Sequence, residues 1–300
     1  MFTFEDLADP DRVVVSEHGH RVATFTIGCY TVTLAGPERT FREKFRRHGV
    51  DVTVEVTHGT WVRAAPGPVD RRIDERWLRL ALAANEDQQP DALGLAMQYV
   101  KGAPAVHEGD LLIAGDASYG PLGPDGKREE GSDFNDYLGL RWLYPTEPPD
   151  PRRADRFRCL DCSGYMRMIW GYRHHLPGSG YPGSVPLSRG PRERSALPRR
   201  AVQMYADAPG LVLVHDSGGP VTDLTALEVG DLVFFDASDD DGDAIDHVGM
   251  YLGVDASGKR RFISSRKTAD GPTLGDVNGA SVLDDPAEHY SRTFRAIRRL

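Results

Sequence analysis

The stretch Leu160-Asp-Cys-Ser-Gly-Tyr-Met-Arg-Met-Ile-Trp170 decides the fold, because it places a cysteine where a helix with an apolar face is predicted to begin. Asp161 stands at the N-cap position, and Gly164 leaves the first turn uncrowded. A helix N-terminus carries a partial positive charge and free N–H donors, and both favour a thiolate. Cys162 is therefore a candidate nucleophile, although a buried structural cysteine explains this segment equally well.

Two strands are predicted further along the chain, Gly230-Asp-Leu-Val-Phe-Phe235 and, after an acidic loop, His247-Val-Gly-Met-Tyr-Leu-Gly253. The alternation in the second strand places His247 on the face opposite the apolar residues. A histidine at the first position of a strand is fixed by the sheet and can still reach a cleft. His247 is therefore a candidate general base, although a surface histidine is the simpler interpretation of this residue alone.

The hairpin that follows predicts a partner for the histidine. If Val254 pairs with Lys259, the next strand brings Ser264 opposite Gly249, on the same face as His247 and diagonal to it. A slip of one residue would present Ser265 instead. Ser264 could equally be a strand residue without a catalytic part.

A cysteine on a helix followed by a histidine on a strand is the order found in papain-like enzymes. The chain resembles the NlpC/P60 family of cysteine peptidases, whose Asp-Cys-Ser-Gly pattern is matched at 161–164 and whose strand patterns are matched at 230–235 and 247–253. The resemblance covers roughly residues 90–300. It implies an α+β, papain-like catalytic domain in which the helix that bears the cysteine packs on an antiparallel sheet that bears the histidine.

The resemblance also implies an activity and a set of site residues. The expected reaction is hydrolysis of an amide in bacterial cell-wall (peptidoglycan) peptides, typically between D-glutamate and a diamino acid, with no cofactor and no metal. Cys162 and His247 would be catalytic, and Ser264 would stand where the family usually has a third histidine. Asp161 would bind the amine of the substrate or act only as a helix cap, with Ser163 beside it as a further substrate-binding residue. Tyr119 is the distant counterpart of a family element that this chain lacks in clean form.

Residues 1–89 read as a β-rich segment of unknown role, and the polar stretch Asn85–Pro90 predicts a boundary to a catalytic domain at 90–300. Valines alternate with polar residues from Asp51 to Thr57, and Arg21–Leu34 is also rich in strand-forming residues. Helices are predicted at Asp74–Ala84 and Asp91–Val100. A binding module in residues 1–89 stays open as an alternative.

The formal net charge of −9 argues against a nucleic-acid partner. The arginine pairs are interpreted as solvated, namely Arg71-Arg72, Arg152-Arg153, Arg199-Arg200 and Arg298-Arg299. The N-terminal stretch has no apolar core of a signal peptide, and no run approaches the length of a membrane span, so the expected site of action at the cell wall rests on the resemblance alone. The oligomeric state is left undetermined.

Three alternatives remain at this point. Cys159-Leu-Asp-Cys162 is also a C-x-x-C, which is typical of redox sites. The same two cysteines with His174 and His175 would make a zinc site. Within the papain-like fold, an amidase or acyltransferase acting on another acyl group is the alternative to a peptidase.

Overall fold

The computed structural model describes residues 1–47, 49–176, 184–192, 194–238, 242 and 244–300. Within them, helices and antiparallel sheets are both present, in agreement with the predicted α+β class. None of the helices in these ranges is long and apolar enough to cross a membrane.

The N-terminal part is a five-stranded antiparallel sheet in which each strand pairs with the next along the chain. Its strands are β1 (Phe2–Leu7), β2 (Arg12–Glu17), β3 (His20–Thr26), β4 (Thr31–Arg47) and β5 (Val50–Ala64). The predicted alternation is present in β5, where Val54 and Val56 are buried and Thr53 and Thr57 are exposed. The stretch Arg21–Leu34 forms two strands, because Gly28 adopts a φ of 82° that ends β3 in a turn.

Two helices follow this sheet, α1 (Glu75–Glu86) and α2 (Ala92–Met97). Both begin after an aspartate whose carboxylate accepts a hydrogen bond from a backbone N–H of the first turn. The second of these caps, Asp91, also accepts from Val62 N–H at 2.6 Å and pairs with Arg39. Asp91 therefore fastens the start of α2 to the N-terminal sheet.

The remaining chain builds a two-stranded ribbon and a six-stranded sheet in the order β12-β11-β10-β9-β13-β8. The strands are β6 (Val106–Glu108), β7 (Leu111–Ala114), β8 (Leu211–Val214), β9 (Leu232–Phe235), β10 (His247–Val254), β11 (Arg260–Arg266), β12 (Gly271–Thr273) and β13 (Phe294–Arg299). The helices are α3 (Phe134–Leu138), α4 (Cys162–Arg167), α5 (Ala201–Asp207) and α6 (His289–Thr293). Short turns add a 3₁₀ segment at Ala154–Arg156 and a π-helical segment at Met168–Arg173, which extends α4.

One buried apolar cluster runs across the predicted boundary at 89/90. It joins Val56 and Val62 of β5 to Tyr165 of α4 and Met250 of β10. The backbone N–H of Thr31 also donates to the carbonyl oxygen of the last residue, at 2.7 Å. The N-terminal sheet therefore shares its core with the part of the chain that carries Cys162 and His247.

The interpretation of Arg298-Arg299 as a solvated pair is wrong. Both side chains are buried in β13, with relative exposures of 0% and 1%. Arg298 donates to backbone carbonyls that include those of Tyr205 and Ala208, whereas Arg299 pairs with the buried carboxylate of Asp231 at 2.8 Å. A guanidinium can be buried when every donor finds an acceptor, and composition alone does not reveal those acceptors.

Candidate active site

The thiol of Cys162 lies at the first position of α4, against the sheet. Asp161 caps the helix by accepting a hydrogen bond from Gly164 N–H at 2.8 Å. A side chain at Gly164 would bring its Cβ to 2.3 Å from the carbonyl oxygen of Ser132, so only glycine fits there. The Asp-Cys-Ser-Gly pattern is thus explained locally by a cap and a close backbone approach.

The sulfur meets the strand that carries the histidine. Cys162 Sγ lies 3.8 Å from the carbonyl oxygen of Asp246, and the backbone N–H of Val248 also donates toward it. These two residues flank His247, the first residue of β10. The helix start and the strand start therefore meet at the cysteine and the histidine.

One nitrogen of the imidazole faces a serine. The Nε2 atom of His247 lies 3.0 Å from the hydroxyl oxygen of Ser264, and both side chains are buried. The adjacent Ser265 points the other way and donates its hydroxyl to the carbonyl oxygen of Leu160 at 2.5 Å. The structure thus brings the predicted serine, and not its neighbour, to the ring.

A β-bulge produces this register. The hairpin pairs Val254 with Arg260, not with Lys259 as predicted, and a bulge between Tyr251 and Gly253 then restores the predicted offset. Leu252, inside the bulge, accepts a hydrogen bond at its carbonyl from Nε2 of His58 in β5, at 2.8 Å, while Nδ1 of that ring accepts from Thr60 N–H. The N-terminal sheet therefore contacts the bulge that sets the position of the serine.

Gly249 leaves the space that the serine needs. A Cβ atom at Gly249 would lie 3.1 Å from the Cβ of Ser264 and 2.8 Å from the carbonyl oxygen of Ile263. Contacts this short would push β11 away from β10. The glycine two residues after His247 therefore permits the hydrogen bond between the imidazole and the hydroxyl.

Burial favours the neutral forms of both Cys162 and His247. Burial, followed by the negative charge of Asp161, raises the pKa of the Cys162 thiol to about 12, although Val248 N–H and Arg199 act in the opposite direction. Burial, followed by the positive charge of Arg266, lowers the pKa of His247 to about 3. Desolvation is therefore a larger effect on the thiol than the helix N-terminus that was expected to favour the thiolate.

The guanidinium of Arg199 forms an ion pair with the carboxylate of Asp161. Its two terminal nitrogens lie 2.6 Å and 3.1 Å from the carboxylate oxygens, and one of them also donates to the hydroxyl of Ser163 at 2.6 Å. This ion pair and the bonds from Gly164 and Gly131 N–H hold the pKa of Asp161 below its usual value, although burial alone would raise it. The interpretation of Arg199 as a solvated residue is wrong, whereas Arg200 is exposed.

A cavity of about 830 Å³ opens above the cysteine. The substrate-binding residues predicted from the sequence all line it, namely Tyr119, Asp161 and Ser163. Tyr119 is buried, and its pKa is raised by burial and by the nearby Cys162 and Asp161. The lining residues lie between positions 119 and 246, so the cavity belongs to the C-terminal part of the described chain.

Three further residues of the site escaped the sequence argument, namely Arg199, Arg266 and Tyr290. The ring of Tyr290 packs on the imidazole of His247, with 5.5 Å between the ring centroids. The guanidinium of Arg266 lies 5.0 Å from the centroid of the Tyr290 ring. The alternation along the strand predicts that Ser264 and Arg266 share one face of the sheet. Nothing in the sequence predicts that Tyr290 or Arg199 lies near them.

The redox and zinc alternatives have no supporting geometry. Cys159 and Cys162 are both free thiols. The Nε2 atom of His174 accepts a hydrogen bond from Ala64 N–H at 2.7 Å, and Nδ1 of His175 lies 3.0 Å from the carbonyl oxygen of Arg173. Within the described ranges, no three His, Cys, Asp or Glu side chains are grouped as metal ligands.

Residues 152–284 match the model of the NlpC/P60 family, which confirms the resemblance read from the two motifs. No curated protein matches the chain. Among solved structures, the chain is similar to an NlpC/P60 family protein from Bacillus cereus ATCC 10987, with 13% sequence identity, a TM-score of 0.30 and coverage of 99% of this chain and 78% of that chain. The family match supports a cell-wall peptidase of the cysteine peptidase kind.

Proposed function

We propose that this chain, whose residues 152–284 match the NlpC/P60 family, is a cysteine peptidase that acts on the stem peptides of bacterial cell walls. The bond cut is the amide between D-glutamate and a diamino acid. The observation that carries the proposal is the set of three residues that the fold brings together. Cys162 lies at a helix start, His247 lies at a strand start, and the hydroxyl oxygen of Ser264 lies 3.0 Å from Nε2 of His247. The catalytic unit is 90–300, since it supplies the lining of the cavity, and residues 1–89 pack against it.

The proposed reaction begins with attack by sulfur. The imidazole Nδ1 takes the proton of the Cys162 thiol while the sulfur bonds to the carbonyl carbon and the carbonyl π electrons move to oxygen. Nε2–H of His247 donates to Ser264, which can accept from the ring in both its neutral and its protonated state. The backbone N–H of Cys162, at the start of α4, is available to the resulting oxyanion.

The second half of the reaction releases the two products. The protonated imidazole of His247 returns its proton to the leaving amine as the carbon–nitrogen bond breaks, which leaves a thioester on Cys162. Water, deprotonated by the same ring, then adds to the thioester carbonyl, and the sulfur leaves as the thiol. The cycle needs no group beyond water and the substrate.

Substrate binding is proposed for the polar wall of the cavity. Asp161 already accepts five hydrogen bonds, from Gly131, Ser163, Gly164 and twice from Arg199. A guanidinium has no acceptor and cannot bind an amine, so we assign the amine contact to Asp161 only where the substrate amine displaces Arg199 from its carboxylate. Ser163 and Tyr119 complete this wall as substrate contacts.

The test is incubation of the protein with defined cell-wall peptides, followed by mass spectrometry of the products. The expected products are a peptide that ends in D-glutamate and one that begins with the diamino acid, both absent with Cys162→Ala. A product in which the acyl group is carried to an added amine would instead identify an acyltransferase. Intact peptides after prolonged incubation, with a thiol that still reacts with iodoacetamide, would reject the substrate class.

A further inference from the structure

The single hydroxyl of Ser264 is a weak means of holding an imidazole. A neutral hydroxyl has one rotatable bond and gives only a modest net hydrogen bond, whereas a second ring or an amide would be stiffer. His247 nevertheless keeps Nε2 at 3.0 Å from that hydroxyl while the sulfur lies beside its flanking residues. The orientation of the ring therefore calls for a second support.

That support is an aromatic contact on the imidazole. The ring of Tyr290, from α6, lies 5.5 Å from the imidazole centroid at an interplanar angle of 36°, and Phe235 lies 5.8 Å away on β9. Tyr290 also packs edge-on against Phe235 and Phe262, at 5.3 Å from each. The tyrosine is thus fixed among rings of the sheet and limits the rotation of His247 about its side chain.

Arg266 also contacts the ring of Tyr290. Its guanidinium lies 5.0 Å from the Tyr290 ring centroid, and the side chain is 1% exposed. It donates hydrogen bonds to the carbonyl oxygens of Gly275 and Gly279 and to the hydroxyl of Ser281, and it also hydrogen-bonds the phenol of Tyr290. A buried guanidinium is expensive to desolvate, so the ring and hydroxyl of Tyr290, together with the charge of Glu43, are a substantial part of its environment.

Arg266 also lies two residues after Ser264, and therefore on the same face of β11. One strand thus supplies both the hydrogen-bond partner of the imidazole and the cation beside the ring that packs on it. We propose, on the basis of the peptidase function above, that Arg266 and Tyr290 are positioning residues that hold the imidazole of His247 toward Ser264 and Cys162. The column Arg266–Tyr290–His247 supplements the serine that stands where the related family usually has a histidine.

The column has an electrostatic consequence that can be measured. The charged groups that act on His247 are Arg266 from β11 and His289 from α6, which both lower its pKa, and Asp161 at the start of α4, which raises it. Tyr290 and Cys162 also face this region and are neutral at pH 7, because burial raises the pKa of each. Removal of the Arg266 charge should therefore raise the pKa of the imidazole, which a purely structural residue would not do.

The experiment compares Arg266→Gln with Arg298→Gln. Arg298 is a matched control, because it is also fully buried in a strand and also donates to backbone carbonyls, without contact to His247. Three quantities are measured for each variant: the melting temperature, the NMR titration of the His247 ring, and the rate at which iodoacetamide alkylates Cys162 as a function of pH. Hydrolysis of the cell-wall peptide is measured alongside.

We expect Arg266→Gln to move the His247 titration upward by about one pH unit and to slow hydrolysis about tenfold. Because Arg266→Lys keeps the positive charge, it should leave the midpoint of the His247 titration where it is in the parent protein. It should retain only part of the rate of hydrolysis. Arg298→Gln should lower the melting temperature without moving the titration. An unmoved titration in Arg266→Gln, with the fold intact, would overturn the proposal.

A milder pair of variants covers the case in which Arg266→Gln does not fold. Tyr290→Phe keeps the ring and should stay within about threefold of the parent rate, whereas Tyr290→Leu should lose about tenfold and broaden the ring signals of His247. Equal rates for Phe and Leu would reject the column. If the parent protein cuts no cell-wall peptide, the NMR and alkylation profiles still test the column, so the failure of one proposal is separable from the failure of the other.

Discussion

Replacement of Ser264 by alanine removes one hydroxyl group and leaves the sheet otherwise unchanged. The hydroxyl oxygen lies 3.0 Å from Nε2 of His247, and the serine has no exposed surface. Water is therefore not expected to take the place of the missing group. In the Ser264→Ala protein, the ring nitrogen would stay buried without a partner.

The size of the effect follows from that geometry. A neutral hydrogen bond contributes about 1 kcal/mol net, and an unpaired buried polar group costs about 1–3 kcal/mol. If the lost hydrogen bond mainly stabilises the protonated imidazole in the transition state, its removal raises the activation free energy by about 1.4 kcal/mol, which lowers kcat about tenfold. The acid limb of the pH–rate profile should move to lower pH, because the protonated ring loses an acceptor at Nε2–H.

The assay is kcat and kcat/KM for the cell-wall peptide from about pH 2 to pH 9, a range that includes the low pKa of His247, with Ser265→Ala as the control. Ser265 is also fully buried and also loses one hydrogen bond, to the carbonyl oxygen of Leu160 at 2.5 Å. Both variants should lose similar thermal stability, but only Ser264→Ala should change the pH–rate profile. A profile that moves with Ser265→Ala and not with Ser264→Ala would refute the assignment, and two unchanged profiles would reduce the site to a Cys–His dyad.

Three further predictions concern the same site and its surroundings. Cys162→Ala should abolish hydrolysis and Cys159→Ala should retain most of it, as followed by product mass spectrometry; equal loss in two folded variants would favour the redox or metal alternative. His247→Ala should lower the rate at least about a hundredfold, the scale of a lost general base, and near-normal turnover would remove it from the mechanism. Burial lowers the pKa of both His247 and His174 to about 3, and in His174 the charge of Arg63 acts in the same direction. Between pH 3 and the ordinary histidine pKa of about 6.5, the unfolded chain should therefore bind more protons than the folded protein. The free energy of unfolding measured in urea should be full above pH 6.5 and fall by roughly 2–3 kcal/mol per pH unit toward pH 3. The His174→Gln substitution should reduce that slope by about half, and a stability that does not change with pH would contradict the burial of these rings.

The sequence predicted the two ends of the site because each is encoded locally. A cap, a cysteine and a glycine are adjacent in 161–164, and the structure explains each by a contact within one turn or with Ser132. The alternation in β10 likewise fixes which face His247 occupies, since the side-chain period of a strand is two. Local patterns of this kind survive folding because they depend on few distant neighbours.

The pairing of β10 with β11 was predicted correctly at Ser264 for an incomplete reason. The three-residue hairpin loop 256–258 shifts the first pair to Val254 and Arg260, and the bulge at 251–253 cancels that shift. The bulge contacts His58, which is almost two hundred positions away in the chain. A hairpin count within one segment has no means of including a bulge that depends on another sheet.

The residues that escaped prediction act across long separations. Arg199 meets Asp161 from 38 positions further along the chain, and Tyr290 reaches His247 from a helix of five residues near the C-terminus. The dipeptides Arg199-Arg200 and Arg298-Arg299 look alike in sequence, yet Arg200 is exposed and Arg298 is fully buried. The fate of such a residue depends on which acceptors the fold assembles around it.

The buried, neutral pair has opposite effects on the two halves of the proposed reaction. Burial raises the pKa of the Cys162 thiol and lowers the pKa of the His247 imidazole, and both shifts disfavour a thiolate–imidazolium pair, so we expect proton transfer to accompany formation of the sulfur–carbon bond. Once formed, the protonated ring of His247 is a strong acid, because burial and Arg266 both disfavour its charge. A strong acid protonates a poor leaving group such as an amine readily. In the proposed reaction, the environment that opposes attack by the Cys162 thiol therefore assists protonation of the departing amine, which is the demanding departure in amide hydrolysis.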